Sequence, residues 1–144
     1  MTAKTNKLPS VLLDENIARK EWKIVENVEL SEFEVSNLEL VSCLKKDEDE
    51  VGGEEMRRRA VRLGANLGLD DAKYILDHQA EIPPKFRGKF LLFPGTLFDT
   101  YHIVCLIWKD GEWLPAFLQA GFDEIKFDEK DMLVRYKYAG RAQA

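Results

Sequence analysis

A chain of 144 residues, 45% hydrophobic and 33% charged, is long enough for one domain with its own core and too apolar to be wholly disordered. Its net charge of −5 opposes general nucleic-acid binding, and its two cysteines do not make a disulfide framework. Because neither a run of about 18 apolar residues nor an apolar segment behind the N-terminal lysines occurs, we expect a cytoplasmic protein without a membrane partner.

The first elements of the chain are predicted to be one helix and two strands. Ser10 is placed to cap a short helix that runs to about Arg19. From Glu21 to Leu30 apolar residues alternate with polar ones, which predicts a half-exposed strand. The run LELVSCL at residues 38–44 predicts a second strand.

Residues 45–53, KKDEDEVGG, are predicted to form a flexible acidic loop because they are dense in charge and end in a glycine pair. The run lacks the alternating oxygen ligands, the central glycine and the terminal glutamate of a calcium loop. We therefore expect no metal there, and no motif in the chain indicates a cofactor.

Residues 54–80 are predicted to form two helices. Asp70 is placed to cap the second, which runs to about Ala80. A recognition helix for DNA would present basic or amide side chains, whereas this one presents aspartates, so we interpret the pair as an αα-hairpin packed on one face of a sheet. In the first helix the residues at helical spacing are Met56, Ala60, Leu63 and Leu67.

The stretch YHIVCLIWKDGEWLPAFLQA at residues 101–120 predicts a β-hairpin. The dipeptide Asp110-Gly111 tolerates the positive φ angles of a type I′ turn. The resulting register pairs Trp108 with Trp113 and places Pro115 where its missing N–H points away from the partner strand. We therefore expect the second strand to lie at a sheet edge or to carry a bulge.

Both faces of this hairpin are apolar, so each should be covered, by helices on one side and by the N-terminal segment or a second subunit on the other. Trp108 and Trp113 form a cross-strand aromatic pair, which is typical of hairpin packing and also offers a ligand platform. Together with Phe117 on the same face, they are the candidate interaction surface.

Two further strands are predicted at residues 89–93 and 132–138, and the acidic connection before the second should tuck Phe122, Ile125 and Phe127 beneath it. The predicted fold is α+β, a single domain over residues 1–144 with loose tails at 1–9 and 140–144. Its antiparallel sheet has about five to six strands, and the αα-hairpin follows the first two.

Six basic residues are candidate anion contacts. Glu54 and Glu55 precede Arg58 and Arg59 by one helical turn, which partly neutralises the helix that carries half of the set. The six are Arg57, Arg58, Arg62, Lys85, Arg87 and Lys89.

No catalytic residue is assigned. His102 and Cys105 lie on opposite faces of one strand and so do not chelate one metal together, and His78 suits the end of a helix. An enzyme would require either histidine to sit in a cleft against a carboxylate or a thiol.

The favoured function is a non-enzymatic protein-binding or accessory module, whose partner is another protein or a second copy of the chain. One alternative is a nucleic-acid-associated protein that uses the six basic residues as one local face. The other is an inhibitor that imitates nucleic-acid charge, which requires the acidic residues of segments 47–50 and 123–131 to share one surface.

Overall fold

The computed structural model describes residues 8–31 and 34–137. Within these ranges the chain forms three α-helices and nine strands. The helices are α1 (Pro9–Lys20), α2 (Gly53–Arg62) and α3 (Leu69–Asp77). The strands are β1 (Ile24–Glu26), β2 (Leu38–Ser42), β3 (Val51–Gly52), β4 (Phe90–Phe93), β5 (Leu97–Phe98), β6 (His102–Lys109), β7 (Glu112–Gln119), β8 (Lys126–Phe127) and β9 (Asp131–Tyr136). None of the helices in these ranges is long and apolar enough to cross a membrane.

The main sheet has five strands in the order β2-β9-β4-β6-β7, which confirms a mixed α+β fold with a mostly antiparallel sheet. One pair departs from the prediction, because β4 and β9 run parallel. Alternation of apolar residues reports which face a strand buries but not the direction of its neighbour, so the sequence did not reveal this pair. The strands β1 and β5, and β3 and β8, form two separate two-stranded ladders.

The predicted hairpin is confirmed residue by residue. β6 and β7 pair from His102 opposite Gln119 to Lys109 opposite Glu112. The dipeptide Asp110-Gly111 has φ angles of 54° and 82°, as a type I′ turn requires. β7 is an edge strand of the main sheet, which agrees with the position of its proline.

Helices cover both faces of the main sheet and create two separate cores. On one face, Leu13 of α1 and Ile75 of α3 pack against the sheet through residues such as Val104. On the other, Met56 of α2 packs among residues that include Cys105. Val104 and Cys105 are neighbours on β6 and point to opposite faces, so the doubly apolar hairpin is covered within one copy of the chain.

The predicted αα-hairpin on one face is not confirmed, because α2 and α3 belong to the two different cores. α2 ends at Arg62, earlier than predicted, and leaves Leu63 37% exposed. Leu67 belongs to the core of α3 rather than to that of α2. Of the four residues predicted to form the buried face of this helix, only Met56 and Ala60 do so. The chain between the two helices crosses from one face of the sheet to the other.

The N-terminal helix is confirmed, but its predicted cap is wrong. Leu8 occupies the capping position, and the backbone N–H and hydroxyl of Ser10 donate to the two carboxylate oxygens of Asp77, at 3.0 and 2.6 Å. Ser10 thus ties α1 to the end of α3. Pro9, predicted to lie in the N-terminal tail, begins the helix, whereas residues 1–7 and 138–144 lie outside the described part of the chain.

The start of α3 also differs from its prediction, because Gly68 rather than Asp70 stands at the capping position. The hydroxyl oxygen of Thr96 accepts a hydrogen bond from the N–H of Leu69 at 2.7 Å and donates one to the side chain of Asn27 at 2.6 Å. A residue distant in sequence therefore caps the helix, which local patterns do not reveal.

The predicted flexible loop at residues 45–53 is anchored by its own chain. Arg59, only 8% exposed, donates to both carboxylate oxygens of Glu48 at 2.6 and 3.0 Å. This contact lowers the pKa of Glu48 to about 2. Val51 is buried and pairs with Phe127. The segment is thus polar at its start but part of the core at its end.

Candidate binding cleft

An open cleft of about 520 Å³ lies beside α2, within the size range of natural ligand sites. It is bounded by β1, by α2 and by the connections that precede β6 and follow β7. Residues that line it include Glu26, Arg57, Val61, Tyr101 and Phe122.

Tyr101 has an unusual backbone for its type, because its φ angle of 63° lies in the left-handed region. Two hydrogen bonds fix it there: its N–H donates to the carbonyl of Phe98, and its carbonyl accepts from the N–H of Ala120, both at 2.8 Å. Glu21, Asp47 and Asp110 also have positive φ. Glu21 ends α1, a position where this conformation is common, and aspartate tolerates it far better than a bulky aromatic residue. Tyr101 is therefore held in a strained state.

The neighbouring glycine makes room for the tyrosine ring. A Cβ atom placed on Gly121 would stand 2.5 to 2.6 Å from side-chain atoms of Tyr101, closer than real atoms approach. The next residue, Phe122, contacts the ring, with centroids 5.0 Å apart and planes inclined by 53°. Despite these contacts Tyr101 and Phe122 remain 44% and 45% exposed.

The two rings form part of a larger exposed surface, which we call the apolar band. Val61 shares the cleft with them, and the N–H of Ile125 donates to the carbonyl of Phe122 at 3.3 Å. Ile125 and Phe90 line a neighbouring hollow of about 160 Å³. All five side chains are large, apolar and exposed: Val61, Phe90, Tyr101, Phe122 and Ile125. Phe122 and Ile125 were predicted to be tucked under the acidic connection, and only Phe127 is.

Ion pairs border the cleft. Arg57 donates to Glu26 at 3.2 Å, and Arg58 donates to Glu54 and to Glu55, each at 2.9 Å. The contact with Arg58, followed by that with Arg59, lowers the pKa of Glu55 to about 2. The three predicted anion contacts of α2, Arg57, Arg58 and Arg62, are thus each paired with a carboxylate of the same chain.

The other three predicted anion contacts lie elsewhere. The guanidinium of Arg87 stacks on the ring of Trp108 at 3.9 Å, and the ammonium of Lys89 donates to the carbonyl of Glu129 at 3.3 Å. Exposed Lys85 lies beside Phe86, which is buried in the core of α1 and α3. That core lies across the sheet from α2, so the six basic residues do not form one face.

The predicted aromatic surface is largely internal. Trp113 is 1% exposed and belongs to the core, so it is not available to a partner. Trp108 is half-buried, with its ring 5.6 Å from that of Trp113. Phe117 is half-buried against Trp22, at a centroid distance of 5.2 Å.

The histidines lie away from the cleft. His78 stacks on Tyr74 at the end of α3, with centroids 4.2 Å apart. His102 stacks on Trp22 at 4.4 Å, and burial lowers its pKa. Cys105 lies in the core on the other sheet face, as predicted, and burial raises the pKa of its thiol to about 12. Among residues 8–31 and 34–137 no group of three or more side chains is arranged to hold a metal ion.

The two acidic segments lie close together. β3 pairs with β8, so the chain after residues 47–50 runs alongside the segment at 123–131. Several of their carboxylates already have partners, because Glu48 binds Arg59 and Asp123 accepts a hydrogen bond from the N–H of Glu55 at 3.0 Å.

The fold and the cleft thus define a mixed α+β protein with an exposed aromatic surface at one side of its α2 core. Comparisons with protein-family models, with curated proteins and with solved structures found no match. Of the residues that line the cleft, Arg57 and Arg58 were predicted as anion contacts, whereas Tyr101, Gly121 and Phe122 were not predicted as part of a site. Gly121 directly follows the predicted hairpin at residues 101–120, and nothing in the sequence around Tyr101 indicates a left-handed backbone.

Proposed function

We propose that the chain is a non-enzymatic protein-binding module and that the apolar band is its docking surface. The observation that carries this proposal is the exposed ring of Tyr101, whose backbone is held in a strained conformation. The strain of a left-handed backbone is on the order of 1–2 kcal/mol for a residue of this kind. Asparagine or glycine would close the same turn with less strain, so stability does not explain the tyrosine.

The size and character of the apolar band favour a protein partner. Its five exposed side chains extend over two neighbouring hollows rather than enclosing a single cavity. Exposed apolar side chains grouped around hollows in this way are typical of an interaction site. A partner that covered the band would remove from water nearly half of the accessible surface of Tyr101 and of Phe122. Burial of apolar surface contributes roughly 25 cal/mol of binding free energy per Å².

A different protein, rather than a second copy of the chain, is the proposed occupant. Two copies would each bring a net charge of −5, and this repulsion opposes association of surfaces bordered by the same carboxylates. The hairpin, one face of which was predicted to be covered by the N-terminal segment or by a second subunit, is already covered on both faces by helices of its own copy.

The experiment is site-specific photo-cross-linking with p-benzoylphenylalanine in place of Phe122 in the native cell. Leu12 provides the control position, because it is similarly exposed but lies on α1, across the sheet from α2. We expect one discrete partner at position 122 and none at position 12. After purification, that partner should bind the Phe122→Ser variant about tenfold more weakly than the unmodified chain.

Three results would overturn the proposal. Equal cross-linking at both positions would indicate non-specific contact, and no cross-linking at position 122 would mean that the band is not a docking surface. A cross-linked dimer of the chain would identify a second copy as the occupant.

A second candidate function is supported by the pairing of β3 with β8, which brings the two acidic segments together. An acidic surface would bind a basic protein in place of nucleic acid. The test compares how a purified histone mixture binds to the unmodified chain and to the double variant Asp47→Asn/Asp49→Asn. Both aspartates are exposed. If this function is correct, added salt and the double substitution should each weaken the binding. Equal binding by the unmodified chain and the double variant would exclude it.

A further inference from the structure

Arg57 differs from the other arginines of α2 in how it is held. Its side chain is only 19% exposed, yet in the part of the chain that the structure describes it makes a single hydrogen bond, from Nη2 to Glu26. Arg59, by contrast, donates hydrogen bonds from all three of its guanidinium nitrogens, and the side chain of Arg62 is 62% exposed to solvent. A largely buried arginine side chain with further donors in a cleft is suited to bind a carboxylate through two parallel hydrogen bonds.

The partner that holds Arg57 is easily displaced. The side chain of Glu26 is 64% exposed, and the ion pair consists of one contact at 3.2 Å. Glu26 stands at the end of β1, whose three residues are all exposed. Ion pairs of such exposed carboxylates contribute little to stability, so another carboxylate can take the place of Glu26 at small cost.

Two backbone donors at the start of α2 are already engaged. The N–H of Gly53 donates to the carbonyl of Ile125 at 2.9 Å, and the N–H of Glu55 donates to the carboxylate of Asp123 at 3.0 Å. An anion that enters the cleft therefore does not meet these amides. The cleft is also lined by Asn66 and by Arg58, whose Nε and Nη1 already donate to Glu55 and Glu54. The guanidinium of Arg57, in the same cleft as the rings of Tyr101 and Phe122, is held by a single contact.

We infer that Arg57 receives an acidic side chain of the partner and that Glu26 occupies its place in the free protein. The inference rests on the proposed function and specifies the partner's chemistry: an extended segment with aspartate or glutamate beside an aromatic residue. The carboxylate binds Arg57 while the aromatic side chain lies against Tyr101 and Phe122. Glu26 thereby acts as an internal competitor for the partner.

The test uses the dipeptides acetyl-Asp-Phe-amide and acetyl-Asn-Phe-amide, which have almost the same shape but differ in charge. Binding to the full chain is followed through the NMR signals of the Gly121 and Phe122 amides and of the Arg57 Nε–H group. We expect the aspartyl peptide to bind about tenfold more tightly than its asparaginyl analogue, as a charge-assisted pair implies.

Three variants locate the effect. Arg57→Gln should abolish the preference for the charged peptide, whereas Glu26→Gln should tighten the binding of that peptide by at least about twofold, because the competitor is removed. Arg62→Gln is the matched control, since it removes the same charge from the same helix but from a residue outside the cleft. It should leave the preference intact.

Equal binding of the two peptides would overturn the inference, as would a preference that survives in Arg57→Gln or the absence of binding up to about 10 mM. If both peptides bind equally and Phe122→Ser abolishes their binding, the role of Arg57 as the binding site for a carboxylate is wrong, whereas the proposal of an apolar docking surface stands. If neither peptide binds and photo-cross-linking at position 122 also fails, both proposals are wrong.

Discussion

The side-chain amide of Gln79 forms two hydrogen bonds with the backbone of Trp113. The N–H of Trp113 donates to Oε1 at 2.9 Å, and Nε2 donates to the carbonyl of Trp113 at 3.3 Å. Trp113 lies opposite Trp108 at a non-hydrogen-bonded position of the hairpin, so its backbone groups point outward from the edge strand β7. Gln79 therefore takes the place of a neighbouring strand, and Pro115, at the next outward position, offers no N–H.

Replacing Gln79 with alanine should destabilise the protein by about 1–2 kcal/mol and increase its self-association, because the edge of β7 loses its cover. Urea unfolding measures the first effect and sedimentation velocity the second. Gln119→Ala is the control, since Gln119 is exposed at the far end of the same strand. If both variants behave like the unmodified chain, the edge is not protected by Gln79.

The two hairpin tryptophans should differ in their contribution to stability. Trp113 is fully buried, so Trp113→Ala should lower the free energy of unfolding by about 3–5 kcal/mol. Trp108 is half-buried beneath Arg87, so Trp108→Ala should have roughly half that effect. Equilibrium unfolding in urea compares the two. Equal losses would mean that the cross-strand pair contributes as one unit rather than through the burial of each ring.

The hairpin shows what the sequence can predict. Its register, its turn type and its edge position all follow from a local rule at Asp110-Gly111 and from the placement of Pro115. The αα-hairpin shows what it cannot. Periodicity at Met56 and Ala60 identified a buried helix face, but no local rule states which side of a sheet that helix covers.

The aromatic part of the cleft was not predicted for a similar reason, although Arg57 and Arg58, which also line it, were predicted as anion contacts. Tyr101 and Gly121 are distant in sequence and meet only through the strands that separate them. The cap of α3 by Thr96 and the anchor of Glu48 on Arg59 are likewise long-range or side-chain contacts. Composition and hydrophobic periodicity indicate which residues of a segment are buried, whereas a site forms where residues of different segments come together.

Asp71 should make the protein less stable at neutral pH than at mildly acidic pH. It is 1% exposed, its carboxylate accepts hydrogen bonds from Ser31, among them one from the backbone N–H, and burial outweighs these bonds and raises its pKa to about 6. Nearby Asp70 adds to the rise. Because this pKa lies above the ordinary value of 3.8, the fold favours the protonated form. The penalty is complete above about pH 6 and disappears as pH falls toward 3.8.

Asp71→Asn should therefore stabilise the protein by about 1–3 kcal/mol at pH 8, and by about 1 kcal/mol less at pH 5. The measurement is the difference in unfolding free energy between the variant and the unmodified chain at each pH. Taking the difference removes the contribution of His102, whose lowered pKa favours the neutral ring and so acts in the opposite direction. An advantage of the variant that does not change with pH would show that the carboxylate is not the titrating group.

Gly121 and Tyr101 should show strong energetic coupling. In Gly121→Ala the new methyl group would overlap the tyrosine side chain, so the ring must move or the backbone must shift, with a loss of about 1–3 kcal/mol. Tyr101→Gly removes the ring together with its Cβ atom and supplies a residue that adopts the left-handed backbone without strain, so it should cost little in stability. With glycine at position 101, Gly121→Ala should lose most of its effect, because the side-chain atoms that the new methyl group would strike are absent. A double-mutant cycle measured by urea unfolding gives the coupling free energy, which we expect to exceed about 1 kcal/mol. Additive effects would mean that the glycine serves the backbone rather than the ring, and would remove the reason to regard Tyr101 as positioned for a partner.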